Sequence, residues 1–377
     1  CIRDRLENPP DMSKKFLIVG AGFYGATCAR ELTDAGHQCM VIDKREHIGG
    51  NCFTRYVEEA DCHEHHYGAH IFHTNSQRIW DYVNRFASFN HYVNRVKVSH
   101  RENIYSFPIN LFTLYQVFGV KTPQEAVACL EEKKERIEKP KNMEEWCLAN
   151  VGREIYEIFI EGYSMKQWAK HPRELPASII KRVPMRLNFD DNYFNDRFQG
   201  IPIGGYTSIF EKMLQGIPLE LKVDFLQDRD ALLGKFDHVI FTGSIDSFFD
   251  YSLGHLEYRS LRFDHQLISC PDYQGNAVFN HTDSEVPFTR TYEHKHFDMK
   301  YTADQTAVTF EYPQDWKPGK IEIYPVNTEE NQNLYDQYRE LTKTVPTVSF
   351  GGRLGQYRYY DMHQVIGSAL EKVRTLV

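Results

Sequence analysis

The chain has 377 residues, of which 41% are hydrophobic and 25% charged, an ordinary composition for one large globular domain or two to three small ones. A formal net charge of −8 supplies no basic field for nucleic acid, and no apolar run approaches the roughly 20 residues of a membrane helix. The 8 cysteines are scattered without a C-x-x-C pair and no secretory signal pattern is present, so free thiols and a cytoplasmic setting are expected.

Residues 1–11 are polar and carry Pro9-Pro10 ahead of Met12; they are expected to precede the native start or to form a weakly ordered tail. The first informative stretch follows. Phe16-Leu17-Ile18-Val19 reads as a buried strand, Gly20-Ala21-Gly22-Phe23-Tyr24-Gly25 as a glycine-rich turn, 26–35 as a helix, and Cys39-Met40-Val41-Ile42 as a second strand ending at Asp43. Strand, G-x-G-x-x-G, helix, strand and terminal acid in this order make a dinucleotide-binding βαβ unit. Gly20 permits the tight turn, Gly22 the approach of a pyrophosphate, and Gly25 the packing of helix on strand, while the helix N-terminus attracts the phosphates. Asp43 stands where an acid grips a ribose hydroxyl. Gly49-Gly50-Asn51 soon after it favours FAD over a nicotinamide dinucleotide, because it looks like the second fingerprint of glutathione-reductase-like FAD proteins.

Between Cys62 and His73 lie His63, His65, His66, His70 and His73. Three readings stay open for them: a metal site, structural hydrogen bonds in a polar loop, or, for His70 and His73, the lining of a flavin site. The metal reading is the weakest, since no Cys or Asp partners stand at a standard spacing. Asn75 or Ser76 caps a predicted helix with Ile79, Val83 and Phe86 on one face, and 90–108 reads as a hairpin. Thr122-Pro123-Gln124-Glu125 is a capping box with proline at the first helical position. Residues 142–170 read as two helices broken near Gly152 and Gly162, and 171–200 as a long connection of the kind that forms lids. A helix over 206–214 and the strand His238-Val239-Ile240-Phe241 return the chain to the parallel sheet. From about 257 to 325 the β-like runs Ala277-Val278-Phe279, Thr306 to Phe310 and Lys320 to Tyr324 predict an antiparallel sheet covering the cofactor. An amphipathic helix over 329–342, the strand Val348-Ser349-Phe350, Gly351-Gly352-Arg353 and a last helix from about Met362 complete the order.

Asp361 and Gln364 form a capping-box variant at that last helix. The same helix start, with Arg353, could also face the pyrimidine edge of a flavin and stabilise its reduced, anionic form. A Ser-His-Asp triad has no G-x-S-x-G elbow to support it.

Several stretches together now go beyond any single fingerprint: His47-Ile48-Gly49-Gly50-Asn51, the run from Tyr67 to Thr74, Gly162-Tyr163-Ser164-Met165-Lys166-Gln167-Trp168, Glu174-Leu175-Pro176, Lys181-Arg182-Val183-Pro184, Asp191-Asn192-Tyr193-Phe194, the run from Gly200 to Tyr206, Glu293-His294-Lys295-His296-Phe297 and the run from Tyr359 to Gln364. On these, nearly all of residues 15–376 resembles the UDP-galactopyranose mutase family of bacterial type. The family usually carries Gly-Tyr-Thr at Gly162-Tyr163-Ser164, so the hydroxyl is kept.

The resemblance implies an isomerase that interconverts UDP-galactopyranose and UDP-galactofuranose for cell-surface glycans. There is no net redox change, yet N5 of reduced FAD attacks the anomeric carbon as UDP leaves, and the resulting covalent adduct lets the sugar ring open and reclose. It implies Arg182 and Arg290 as catalytic arginines on the diphosphate, with His73 and Asp361 close to flavin and sugar. Tyr193, Tyr324 and Tyr359 would bond the diphosphate, Tyr163 would stack on uracil with Phe159 and Ser164 lining its pocket, and Trp168 would ride a mobile loop that includes Arg182. Each of these aromatics could instead be a core residue. The cofactor contacts expected are Gly20, Gly22, Phe23, Gly25, Asp43, Lys44, Gly50, Asn51, His70, Arg353 and Met362; no metal is expected. A homodimer is implied, with neither a membrane nor a nucleic-acid partner.

The expected fold class is α/β: a FAD-binding Rossmann-like domain of the glutathione-reductase type, with a helical insertion domain and an antiparallel β-sheet domain. The expected divisions are 12–89, 201–256 and 329–377 for the FAD-binding domain, 90–108 for a hairpin joining the sheet, 109–200 for the helical domain with its mobile substrate loop, and 257–328 for the sheet domain. Two other functions share the fingerprints: an FAD-dependent oxidoreductase of the amine-oxidase type, and a non-catalytic UDP-sugar or FAD sensor.

Overall fold

A five-stranded parallel sheet organises the N-terminal fingerprint. In a computed structural model that describes residues 13–181, 185–317 and 319–377, its strand order is Val348–Phe350, His238–Phe241, Lys15–Val19, Gln38–Asp43 and Leu219–Leu221. The central strands are buried on both faces, which is why they read as continuous apolar runs. Alternate residues serve opposite faces: Phe16 and Ile18 join a core with the helices Phe23–Asp34 and Met362–Arg374, whereas Leu17 joins Phe225, Phe241 and Phe248 on the other side. The first helix begins at Phe23, three residues before the predicted start, because the turn is complete at Gly22. Two glycines there are sterically required. Gly20 has φ +110° and a Cβ on it would lie 1.9 Å from Thr242 Oγ1, while a Cβ on Gly25 would lie 1.9 Å from the Gly20 carbonyl oxygen.

The second sheet has seven strands in the order Tyr324–Pro325, Tyr258–Ile268, Thr306–Asp315, Arg290–Glu293, Val278–His281, Lys97–His100 and Asn103–Ser106. All its pairings are antiparallel except that of Val278–His281 with Lys97–His100. The hairpin over 97–106 arrives from a distant part of the chain, and so long a connection permits a parallel pairing. Of the predicted run Lys320 to Tyr324 only Tyr324 pairs, in the two-residue strand Tyr324–Pro325.

A helical layer follows the hairpin over 97–106 in sequence. The helix Pro123–Lys133 carries the predicted capping box, in which Glu125 N–H donates to Thr122 Oγ1 and Glu125 Oε2 accepts from Thr122 N–H. The predicted break at Gly162 is absent. Arg153–Tyr156, a π-helical turn Glu157–Glu161 and Gly162–Trp168 run on without interruption. Gly162 is there for close packing: a Cβ on it would lie 2.0 Å from the Thr282 carbonyl oxygen. The helix stops at Ala169, whose φ of +51° turns the chain into the 171–200 connection. Short pieces punctuate that connection: Pro172–Glu174, Ser178–Lys181, and the strand Phe198–Gly200 paired with Phe72–Thr74. Among the described residues no helix is long and apolar enough to cross a membrane.

Candidate functional site

The parallel sheet places two glycine stretches against each other. Gly49 N–H donates to the Ala21 carbonyl at 2.9 Å, and a Cβ on Gly50 would lie 3.2 Å from Gly22 Cα. The helix Phe23–Asp34 opens beside them with no side chain capping its N-terminus, so its first N–H groups remain for an anion. Asp43 is buried and ties this corner together: one carboxylate oxygen accepts from Ala21 N–H at 2.8 Å and the other from Arg45 N–H at 2.9 Å. Each oxygen retains a lone pair for a ribose hydroxyl. The Phe23 side chain packs on Phe210 in the core, leaving only its N–H for a ligand, and Lys44 is exposed. Asn51 accepts from the Arg45 guanidinium at 2.9 Å and faces the cavity described next. These features fit a dinucleotide whose pyrophosphate lies across the glycines.

From Asn51 a cavity of about 1330 Å³ extends between the two sheets. His70, His73, Trp168, Tyr193, Arg290, Tyr324, Arg353, Tyr359, Asp361 and Met362 all line it. A second cavity of about 220 Å³ opens against the helical layer and is lined by Phe159, Tyr163 and Ser164. Trp168, Tyr193, Arg290, Tyr324 and Tyr359 belong to both walls, so the two cavities adjoin there. Residues remote in sequence are thus gathered as expected, except that Arg182 lies outside the described residues.

Arg290 stands at the junction, on the first residue of its strand. Its Nε donates to Asn280 Oδ1 at 3.3 Å, its NH1 group lies 3.4 Å from Glu311 Oε1, and its guanidinium is 5.5 Å from the Tyr163 ring centre. Burial works against the charge, but Tyr163 and Glu311 outweigh it and hold Arg290 protonated. Glu311 is 1% exposed and also accepts from Thr289 Oγ1 at 3.0 Å and from the Tyr292 hydroxyl. The Tyr163 hydroxyl has no hydrogen-bond partner among the described residues, and burial raises its pKa. Tyr324 and Tyr359 stack 5.3 Å apart, and Ser164 Oγ donates to Met143 Sδ at 3.6 Å.

On the opposite wall His73 stacks on Phe194 with ring centres 3.7 Å apart and hydrogen-bonds Asp196 through Nδ1. Asp361 and His363 lie beside it. Arg353 is anchored by the carbonyls of Ile323 and Tyr360, at 3.2 and 2.6 Å, and Asp361 N–H donates to Gln364 Oε1 at 2.9 Å as the cap required. His70 gives its Nδ1 proton to the Gly68 carbonyl at 2.8 Å, and burial lowers its pKa to about 4, so the ring is neutral.

Of the five histidines, three are held by neighbouring side chains and two line the cavity. His63 bonds Asp298 at 2.7 Å, His65 stacks on Phe297 at 4.7 Å, and His66 stacks on His265 at 4.7 Å, while His70 and His73 line the cavity. Glu64, His66 and His265 are close enough to share an ion, but Arg55 already donates to both Glu64 oxygens, at 2.8 and 3.1 Å. Sequence reasoning missed Glu311, Asn280, Asp196 and Phe194 as the supports of Arg290 and His73. Their signal is cross-strand register and loop docking, which appears only once the sheet is paired.

Comparison with known proteins agrees with this geometry. Residues 158–359 match the family model described as UDP-galactopyranose mutase, and 18–86 match that of an NAD(P)-binding Rossmann-like domain. A probable UDP-galactopyranose mutase of Klebsiella pneumoniae is 41% identical over 363 residues, covering 95% of this chain and 94% of that protein. A dTDP-fucopyranose mutase of Escherichia coli is 38% identical over 364 residues, covering 95% and 97%. A crystal structure of reduced UDP-galactopyranose mutase superposes with a TM-score of 0.72 at 15% identity, covering 97% and 94% of the two chains, a likeness of fold.

Proposed function

The chain belongs to the UDP-galactopyranose mutase family, an isomerase family with a flavin-binding fold, and we propose that it interconverts UDP-galactopyranose and UDP-galactofuranose with FAD as its cofactor. The observation that carries this reading is Arg290, held between Tyr163, Asn280 and Glu311 where the two cavities meet. A guanidinium there suits the diphosphate of a nucleotide sugar whose base enters the smaller cavity and whose sugar enters the larger.

When bound in reduced form the flavin supplies the nucleophile for the anomeric carbon. The chain's own residues supply the rest. Arg290, with Arg182 by family resemblance, stabilises the charge that collects on UDP as its bond to the sugar breaks. Tyr193, Tyr324 and Tyr359 direct hydroxyl-bearing rings toward the same space and keep UDP beside the sugar, which makes its return effectively intramolecular. Tyr163 stacks on the base among the apolar walls of Phe159 and Ile160. Arg353 and the N-terminus of the helix Met362–Arg374 place positive potential at the flavin end. His73, oriented by Asp196, and Asp361 face the sugar end. Trp168, at the hinge before the 171–200 connection, helps close the site against water.

In this reading the cofactor unit comprises 12–89, 201–256 and 329–377, the protein works in the cytoplasm as a homodimer, and galactofuranose passes to cell-surface glycans. Conversion of UDP-galactofuranose by dithionite-reduced protein tests the proposal; full activity of oxidised protein without reductant would refute it. Steady hydrogen peroxide production with an amine would instead favour an oxidase, a chemistry for which the charged junction is ill suited.

A second reading shares the mechanism but changes the nucleotide. The Escherichia coli relative is named for a dTDP sugar, and the apolar lining of the smaller cavity, with Phe107, Met143 and Val151, suits a thymine methyl group. Competition between UDP and dTDP for the same protein decides between them.

A further inference from the structure

Outside the cavity, the half-buried Lys166 makes an unusual set of contacts. Its ammonium donates to four backbone carbonyls, of His281 at 2.7 Å, Asp283 at 2.8 Å, and Val286 and Phe288 at 3.0 Å each. His281 ends the strand Val278–His281, and the other three belong to the turn that joins it to the strand Arg290–Glu293. We infer that Lys166 is a positioning residue for nucleotide binding: its ammonium clasps this turn to the helix Gly162–Trp168 and thereby fixes Arg290 over Tyr163. The inference rests on the reading of that junction as the diphosphate site.

Three observations carry it. First, the clasp joins the two elements that meet at the junction. Tyr163 lies one helical turn before Lys166, and Arg290 leaves the clasped turn two residues after Phe288. Second, the approach is enforced from the helix side, because a Cβ on Gly162 would lie 2.0 Å from the carbonyl oxygen of Thr282 in the same turn. Third, the contact is made by a charge where an apolar side chain would fill the space at lower desolvation cost. Burial lowers the Lys166 pKa to about 8, with Asp283 opposing. Three N–H groups shared among four carbonyls fix direction as well as distance, which a methyl-terminated chain would not.

The test is titration of UDP into oxidised holoenzyme, followed by tryptophan fluorescence, in four proteins: wild type, Lys166→Gln, Arg290→Ala and the double variant. Glutamine keeps two N–H donors in the cage and removes the charge. Lys166→Gln is expected to weaken UDP binding about tenfold with the flavin spectrum intact, and to change it less than about twofold once Arg290 is absent, the signature of action through Arg290. Unchanged affinity in Lys166→Gln overturns the inference, as does a tenfold loss that persists without Arg290. Should the variant not fold, hydrogen exchange on wild type decides: UDP must protect 282–289 and 162–168 together, and protection of neither or only one overturns the clasp. If wild type binds no UDP, the nucleotide reading itself fails. The clasp is then judged by ligand-free exchange, in which Lys166→Gln must accelerate 282–293 and unchanged exchange refutes it.

Discussion

Replacing Arg290 with alanine removes the cation from the junction of the two cavities. Its guanidinium is part-buried, with Asn280 at 3.3 Å and Glu311 at 3.4 Å, so it is already oriented before ligand arrives. Charge-assisted hydrogen bonds to a diphosphate contribute about 1.5–3 kcal/mol each, and loss of one pre-organised donor to a developing anion typically costs about a hundredfold to a thousandfold in rate. The variant also leaves Glu311, 1% exposed, without its cation, which adds a repulsive charge near the departing UDP. Turnover of UDP-galactofuranose by reduced protein should therefore fall by about a thousandfold, while the yellow colour persists because the contacts of Arg290 are with Asn280, Glu311 and Tyr163 and not with the glycine stretches. Arg290→Lys should recover only part of the loss, since an ammonium lacks the planar fork. Turnover within about threefold of wild type in Arg290→Ala would refute the assignment, and loss of flavin would show that the arginine supports the cofactor instead.

Three further outcomes are expected. Gly50→Ala forces a side chain into φ +56° with its Cβ 3.2 Å from Gly22 Cα, so the purified protein should carry much less flavin, read from the ratio of visible to ultraviolet absorbance; full flavin content contradicts the paired-glycine cradle. Gly162→Ala places a Cβ 2.0 Å from a backbone carbonyl oxygen and should destabilise by about 1–3 kcal/mol or more in thermal melts, whereas an unchanged melting temperature would mean that the helix can shift. Burial works against the Glu64 carboxylate, but His66 and Arg55 outweigh it and lower its pKa to about 2. A folded-state pKa below the unfolded one stabilises above the unfolded value, and that contribution is lost as pH falls from about 4.5 toward 2. Glu64→Gln should flatten the melting-temperature profile in that window, and an identical profile would refute the pairing.

The βαβ fingerprint was legible because most of what it needs is local: Gly25 and Asp43 act on neighbours within one strand–helix–strand unit, and Gly20 supplies the turn its φ of +110° requires, although the side chain crowding it, Thr242, comes from the end of a distant strand. Glycines also misled. Gly162 reads as a helix breaker, yet the helix passes through it because the turn at Thr282 demands its missing side chain. The eleven-residue strand Tyr258–Ile268 carries a weak sequence signal, since Arg262, Asp264, His265 and Gln266 interrupt its apolar character; one end faces the core and the other is largely exposed. The second sheet's one parallel pairing joins segments some 180 residues apart in number, beyond any local pattern. At the site, individual residues came from family resemblance, but the supports of Arg290 and His73 did not. Glu311 faces Arg290 through strand register, and Asp196 reaches His73 from a long connection with no periodicity.

The central claim is that UDP is fully detached from the sugar while Arg290 and its neighbours keep it in place. Positional isotope exchange tests this most directly. UDP-galactopyranose carrying ¹⁸O in the bridge between sugar and β-phosphate is incubated with dithionite-reduced protein, and the recovered starting material is analysed. Detachment with retention predicts that label migrates from the bridge to non-bridging β-phosphate positions, at a rate at least that of conversion. Label that stays in the bridge while the sugar ring changes size would contradict the claim.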